Sequence, residues 1–187
     1  MDRRKALMQI GMSMGYVVAA PTFMSVLQSC NDPKANVWVP QFLSLDQGTV
    51  LRGLVDAILP KTNTLSASEV NVHIFLDSFA KEVMPPKQKD QFKATLNQLA
   101  ANALKGSNKE VISELTADDL APEMRKALTG NTAEGVPFAK NIRDLTIWGY
   151  KCTEYVGEEV LAYDPIPGQY IACGDLNEMS GGKAWSI

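Results

Sequence analysis

The sequence predicts a mainly α-helical protein, a single helical bundle followed by a long irregular C-terminal tail. Apolar residues recur at i, i+3, i+4 and i+7 in successive segments. Ser, Thr and Pro residues stand where those segments should start and stop. No run alternates apolar and polar residues over five or more positions, so no convincing strand is present. At 187 residues, 45% hydrophobic and 21% charged, the chain is sized for one domain with a real core.

The elements follow in order. Ser44 with Gln47 reads as a capping box, Val50, Leu51, Leu54, Val55, Ile58 and Leu59 form a helical stripe, and Pro60 ends it. After a polar loop, Ser68 is the expected cap of a second helix with Val72, Phe75, Leu76, Phe79 and Val83 on one face. Pro85-Pro86 closes that helix and opens a third, carrying Phe92, Leu96, Leu99, Ala103 and Leu104, with Gly106 as its C-cap. Ser107 and Glu110 suggest a capping box before a short helix, and residues 116–128 give another, broken or begun near Pro122.

The longest helix is expected to start near Pro137. Phe138, Ile142, Leu145, Gly149, Cys152, Val156 and Val160 would share one face. Gly149 and Gly157 are costly inside a helix unless something packs closely there.

The N-terminus has the layout of an export signal: Arg3, Arg4 and Lys5, a mostly apolar stretch from Ala6 to Leu27, then a small residue before Cys30. A membrane span is the rival, but Gln9, Ser13, Pro21 and Thr22 interrupt the run. Arg3-Arg4 is similar to a twin-arginine signal, though Ala6 stands where Phe is usual. Leu27-Gln28-Ser29-Cys30 is similar to a bacterial lipobox, in which the cysteine is lipidated; the alternative is a plain cysteine near a conventional cleavage site. Cleavage ahead of Cys30 would remove a net +2 and take the formal charge from −3 to −5. The expected organisation is an export signal over 1–29, a tether over 30–43, a helical domain over 44–162 and a partner-binding tail over 163–187.

Catalytic patterns are mostly missing. There is no GxGxxG after a strand, no CxxCH, no GxSxG and no plausible Cys-His pair. His73 is the only histidine and sits beside the apolar stripe of the second helix, where metal binding would want clustered His, Cys or carboxylates, so it reads as structural, and no metal or cofactor site is expected. Asp118-Asp119 and Glu158-Glu159 are adjacent pairs that diverge on a helix, and Asp77, Asp144 and Asp164 are single carboxylates without an evident role. A pI of about 5.2 with no basic run after Lys5 speaks against nucleic acid.

In the tail, Pro165 and Pro167 remove backbone donors and Gly168 is a hinge, yet Tyr163, Ile166, Tyr170 and Ile171 prefer burial. Tyr163, Pro165, Ile166, Pro167, Gly168, Tyr170 and Trp185 are therefore expected to meet a partner protein, prolines lowering the ordering entropy and aromatics supplying anchors. The competing reading folds the tail back on its own bundle. Cys152 and Cys173 could bridge each other, bridge to a partner, or both stay free.

Three stretches resemble the gluconate 2-dehydrogenase subunit 3 family: residues 54–79, with a Pro-x-Thr-x-Thr loop and Phe75-Leu76-Asp77; 138–157, with Arg143-Asp144-Leu145-Thr146-Ile147 and Gly149-Tyr150; and 161–173, with Tyr163, Pro165, Pro167, Gly168, Tyr170 and Cys173. Leu65-Ser66-Ala67 departs from a common Pro-Gly-Ala, and Cys152 from a small residue or Thr. The resemblance implies a non-catalytic accessory subunit of a periplasmic, membrane-associated sugar or polyol dehydrogenase. The large subunit, a flavoprotein of glucose-methanol-choline type, would hold FAD, and a cytochrome c subunit with haem c often takes the electrons onward. The small subunit would escort the large one through twin-arginine export, anchor it by lipid and stabilise it. A free-standing helical lipoprotein that binds a sugar or peptide is the alternative.

Overall fold

The computed structural model describes residues 38–130, 138–164, 166, 168 and 173–186. It is mainly helical, with no strand among the described residues. Ser44 and Gln47 form the expected capping box, each side chain bonded to the other's backbone N–H at 3.2 and 3.1 Å. They start α1 (Leu45–Ile58), whose Val50, Leu51, Leu54 and Val55 are fully buried. Two further helices follow: α2 (Val72–Glu82) and α3 (Pro86–Ser107). A 3-10 turn (Ile112–Glu114) leads to α4 (Ala117–Thr129), and α5 (Ala139–Lys151) completes the bundle. α1 is the axis, packing against α2, α3, α4 and α5 in turn. Phe92, Leu96 and Leu99 of α3, Leu120 of α4 and Ile142 of α5 close the core around it.

Two glycines set helix spacing. A Cβ on Gly53 would lie 2.9 Å from Leu120 Cδ1, and one on Gly149 would lie 2.7 Å from Phe75 Cδ1. Gly149 thus offsets its poor helix propensity by letting α5 settle against α2, as its position in the stripe suggested.

Several local expectations are corrected. Ser68 caps nothing: its N–H and hydroxyl both go to the Asp56 carboxylate at 2.8 and 2.6 Å, and α2 starts later, from Asn71 at φ 62°. Val83 lies at the end of α2 and is 61% exposed, off the buried stripe. Gly106 stays helical, and Asn108 at φ 53° ends α3, because Asn tolerates the left-handed region nearly as well. Ser107 turns back to the Ala103 carbonyl (2.7 Å), leaving no capping box with Glu110. Pro122 breaks nothing: α4 runs through it, because Pro122 is exposed and the carbonyl it leaves unpaired can reach water.

The expected long final helix is two pieces, and α3, with 22 residues, is the longest helix among the described residues. α5 stops at Lys151 because the Thr153 hydroxyl takes the Tyr150 carbonyl (2.7 Å) and offers its oxygen to Val156 N–H (3.3 Å). A π-helical turn, Tyr155–Val160, follows. Cys152 therefore leaves the apolar face and is exposed. Gln41, Phe42 and Leu43, expected in a tether, belong to the fold: Leu43 is buried and all three are bonded to α2.

Gly149→Ala should lower stability by about 1–3 kcal/mol, since the new methyl must displace the Phe75 ring. A urea melt of the purified variant checks this; a midpoint equal to wild type would show that the ring shifts freely.

Candidate interaction surface

Of the carboxylates that the sequence left without a role, Asp77 fixes a loop. The Asp77 carboxylate, fully buried on α2, accepts from three successive backbone donors: Gln41 N–H at 2.6 Å, Phe42 N–H at 3.2 Å and Leu43 N–H at 3.0 Å. Around it, Lys81 reaches the Gln41 side chain (3.0 Å), and Lys93 lies 3.9 Å from the Phe42 ring centroid. Asp144 pairs with its neighbour Arg143 at 2.7 Å, and Asp164 accepts from Ile166 N–H at 3.3 Å in a local turn. Asp119 accepts from Thr116 and from Lys109, and the Lys109 bond, with those of Thr116, holds its pKa down to about 2. Among the described residues no group of three or more His, Cys, Asp and Glu could hold a metal ion.

Two tyrosines at the C-terminal end of the bundle fix the connection between α1 and α2. Tyr150 donates its phenol to the Leu65 carbonyl (2.6 Å), and Tyr155 accepts from Leu65 N–H (3.2 Å). His73, at the start of α2, is 4% exposed. Burial first, and then the Arg52 guanidinium, push its pKa from 6.5 down to about 4, against a smaller upward pull from Asp56.

The tail is anchored at its root. Ala162 N–H donates to Ala184 C=O and Ser186 N–H to Ala162 C=O, both at 2.8 Å, an isolated parallel bridge between Ala162 and Trp185. Lys183 adds a bond to the Glu159 carbonyl at 2.7 Å. The stretch expected to be irregular carries a short helix, α6 (Leu176–Ser180), capped by Asp175 and ended by Gly181 at φ 62°. Its chain end thus folds back, yet Tyr163 (59%), Ile166 (83%) and Trp185 (45%) stay exposed, as do Leu176 and Met179. Tyr163 follows Ala162 directly and Trp185 is the bridge partner of Ala162, so the two aromatics share one end of the molecule. Gly168 sits at φ 70° with open space where a Cβ would be. Pro165, Pro167 and Tyr170 lie outside the described residues, as do Arg3, Arg4 and Cys30. Cys152 and Cys173 are both free, exposed thiols.

A second apolar surface went unread in the sequence. Trp148 on α5 is 50% exposed and meets Phe75 and Phe79 of α2 edge-on at 5.4 and 6.0 Å. Beside it runs an open groove of about 400 Å³ between α2, α3 and α5, with Met84, Phe138 and Leu145 in its wall. The available signal was that Ile147 and Trp148 are large apolar residues off the Phe138-Ile142-Leu145-Gly149 stripe. No helix among the described residues is long and apolar enough to cross a membrane.

The described residues thus form a helical domain in which Asp77, Tyr150 and Tyr155 hold the domain's own loops and Tyr163 and Trp185 face solvent. The chain belongs to the gluconate 2-dehydrogenase subunit 3 family: the model of that family matches residues 45–168, from the first turn of α1 to Gly168 in the tail. No curated protein and no solved structure matches it. The family is, by its description, a subunit of a dehydrogenase, which makes association with other subunits the expected context.

Asp77→Asn should cost about 2–3 kcal/mol, because an amide accepts through one oxygen only and sets its own N–H₂ against a backbone donor. Hydrogen exchange read at residues 41–43 should rise first; unchanged protection there would show that the carboxylate does not hold the segment. His73 gives a pH signature. The unfolded chain takes up a proton near pH 6.5 and the folded chain only near 4, so stability falls as pH drops through that window and levels off below it. The loss should be on the order of 2 kcal/mol. Urea melts of His73→Gln should lack it between pH 6.5 and 4, a window above that of Asp119.

Proposed function

We propose that this chain is the non-catalytic small subunit of an FAD-dependent sugar or polyol dehydrogenase. In this reading a glucose-methanol-choline type flavoprotein holds the FAD and oxidises the substrate, and a cytochrome c subunit with haem c is a candidate third member. This chain stabilises the flavoprotein, escorts it through export and attaches it to the membrane on the periplasmic side. Family membership supports the assignment to a dehydrogenase complex. One structural observation supports the binding role: Tyr163 and Trp185 stand at the root where the chain bridges Ala162 to Trp185, and both are left exposed, as is Ile166 further along. Tyr and Trp are the usual anchors of protein interfaces, because they bring large area with few rotors. The leader supports the escort role, since a signal for folded cargo on a chain without a cofactor motif suits a passenger that carries one. Arg3 and Arg4 would address the pair, and Cys30 would carry the lipid.

Co-expression with a glucose-methanol-choline type flavoprotein from the same organism tests the proposal. Tyr163→Ala with Trp185→Ala should leave melting behaviour unchanged and weaken association by at least 2 kcal/mol, about thirtyfold. Arg3→Lys with Arg4→Lys should retain both chains in the cytoplasm, and Cys30→Ser should release the complex from the membrane fraction. A flavoprotein that is exported, anchored and stable without this chain would overturn the reading.

A further inference from the structure

We infer that the exposed connection from Pro60 to Leu65 is the polar half of the same docking surface, set beside the aromatic half at the tail root; this rests on the partner interface proposed above. Pro60, Lys61, Thr62 and Asn63 are exposed, and after Pro60 the segment has no apolar side chain until Leu65. Such a loop can satisfy its backbone with water, and nothing about joining α1 to α2 requires a fixed shape. It is nevertheless held from several sides. Thr62 N–H closes on the Thr64 carbonyl (3.1 Å) and Ala67 N–H on the Leu59 carbonyl (3.1 Å). Ser66 N–H goes to Glu69 (2.8 Å), and both polar groups of Ser68 go to Asp56. The Tyr150 and Tyr155 phenols then grip both backbone groups of Leu65. A loop ordered in advance loses little entropy when it binds, which gives this immobilisation a use.

Placement joins it to the tail. Tyr155 is the first residue of the π-helical turn; Ala162, the tail root, comes two residues after its last, and Ser186 Oγ lies 3.7 Å from where a Cβ of Gly157 would be. Even at the α-helical rise the six residues of that turn span at most about 9 Å. A standard interface covers about 800 Å² per partner, a disc of roughly 16 Å radius, so both segments fit within one footprint. The chemistry is complementary as well. Lys61 pairs with Glu69, leaving an uncharged rim of hydroxyl and amide groups from Thr62, Asn63 and Thr64. An apolar centre with a polar, hydrogen-bonding rim is the ordinary anatomy of an interface, so the matching partner surface is an apolar pocket bordered by uncharged polar groups.

The test uses the full chain and the flavoprotein of the proposed complex. Asn63→Arg adds bulk and charge at an exposed position without touching a clamp, and should weaken binding at least tenfold with melting unchanged. Tyr155→Phe deletes only the hydroxyl that accepts from Leu65 N–H and should weaken binding three- to tenfold; if it unfolds the chain, Asn63→Arg decides alone. Backbone amides from Thr62 to Leu65 should gain exchange protection in the complex. Wild-type affinity for Asn63→Arg, alongside lost binding for Tyr163→Ala with Trp185→Ala, would remove the loop from the interface and leave the tail there. Wild-type affinity for both would overturn the interface reading itself, and the loop with it.

Discussion

The fold depends on one buried carboxylate. Asp77 sits inside the bundle and takes three consecutive backbone N–H groups from residues 41–43. An uncompensated charge at that depth would be prohibitive, so the arrangement holds only while all three donors converge on it. Convergence fixes the direction in which the chain enters. Ser44 follows at once, and its capping box starts α1 along that direction. Because α1 touches every other long helix, the path of the entering segment sets the frame for the whole bundle.

The other end of the bundle is organised by close approach and two phenols. Gly149 lets α5 come against Phe75, which places Tyr150 one residue later where its hydroxyl reaches Leu65. Tyr155 reaches the same residue only because the helix does not continue. An unbroken α-helix would carry it another 500° from Tyr150, onto a different face. Thr153 causes the break by capturing a carbonyl from its own helix, and the wider turn that follows aims Tyr155 at the loop. A hydroxyl that weakens one helix thus gives the α1–α2 connection its shape.

Local signals in the sequence were legible and tertiary ones were not. Ser44 with Gln47, Pro60 and Pro86 act through neighbouring backbone atoms, and each marks an end where the structure has one. Gly149 was legible as an exception that demanded a close neighbour. Ser68 failed because its hydroxyl had a better acceptor twelve residues back, in Asp56. Gly106 failed because Asn108 adopts the left-handed conformation as well, and glycine at this site was not required. Asp77 looked idle because its partners lie 34 to 36 residues upstream, a separation at which spacing carries no information. The tail matches neither expectation alone: its end folds back through backbone bonds that no side-chain pattern announces, while Tyr163 and Trp185 remain exposed.

That division has an energetic reason. Bridging Ala162 to Trp185 closes a loop of about 23 residues, which costs roughly 3 kcal/mol in chain entropy. Against this stand two backbone hydrogen bonds and one from Lys183, each contributing about 1 kcal/mol net in partly wet surroundings. The terms nearly cancel, so these bonds specify where the tail returns without strongly holding it there. The missing stabilisation is of the kind that Tyr163 and Trp185 have in reserve. An aromatic side chain carries on the order of 150–250 Å², and with 59% and 45% of their surface exposed each has about 70–150 Å² left to bury, worth about 2–4 kcal/mol at 25 cal/mol per Å². The chain's own core offers them no place, being closed by Phe92, the leucines of α1 and α3, and Ile142. A balanced root beneath half-exposed aromatics leaves apolar area unburied, and in the proposed complex the flavoprotein would cover it.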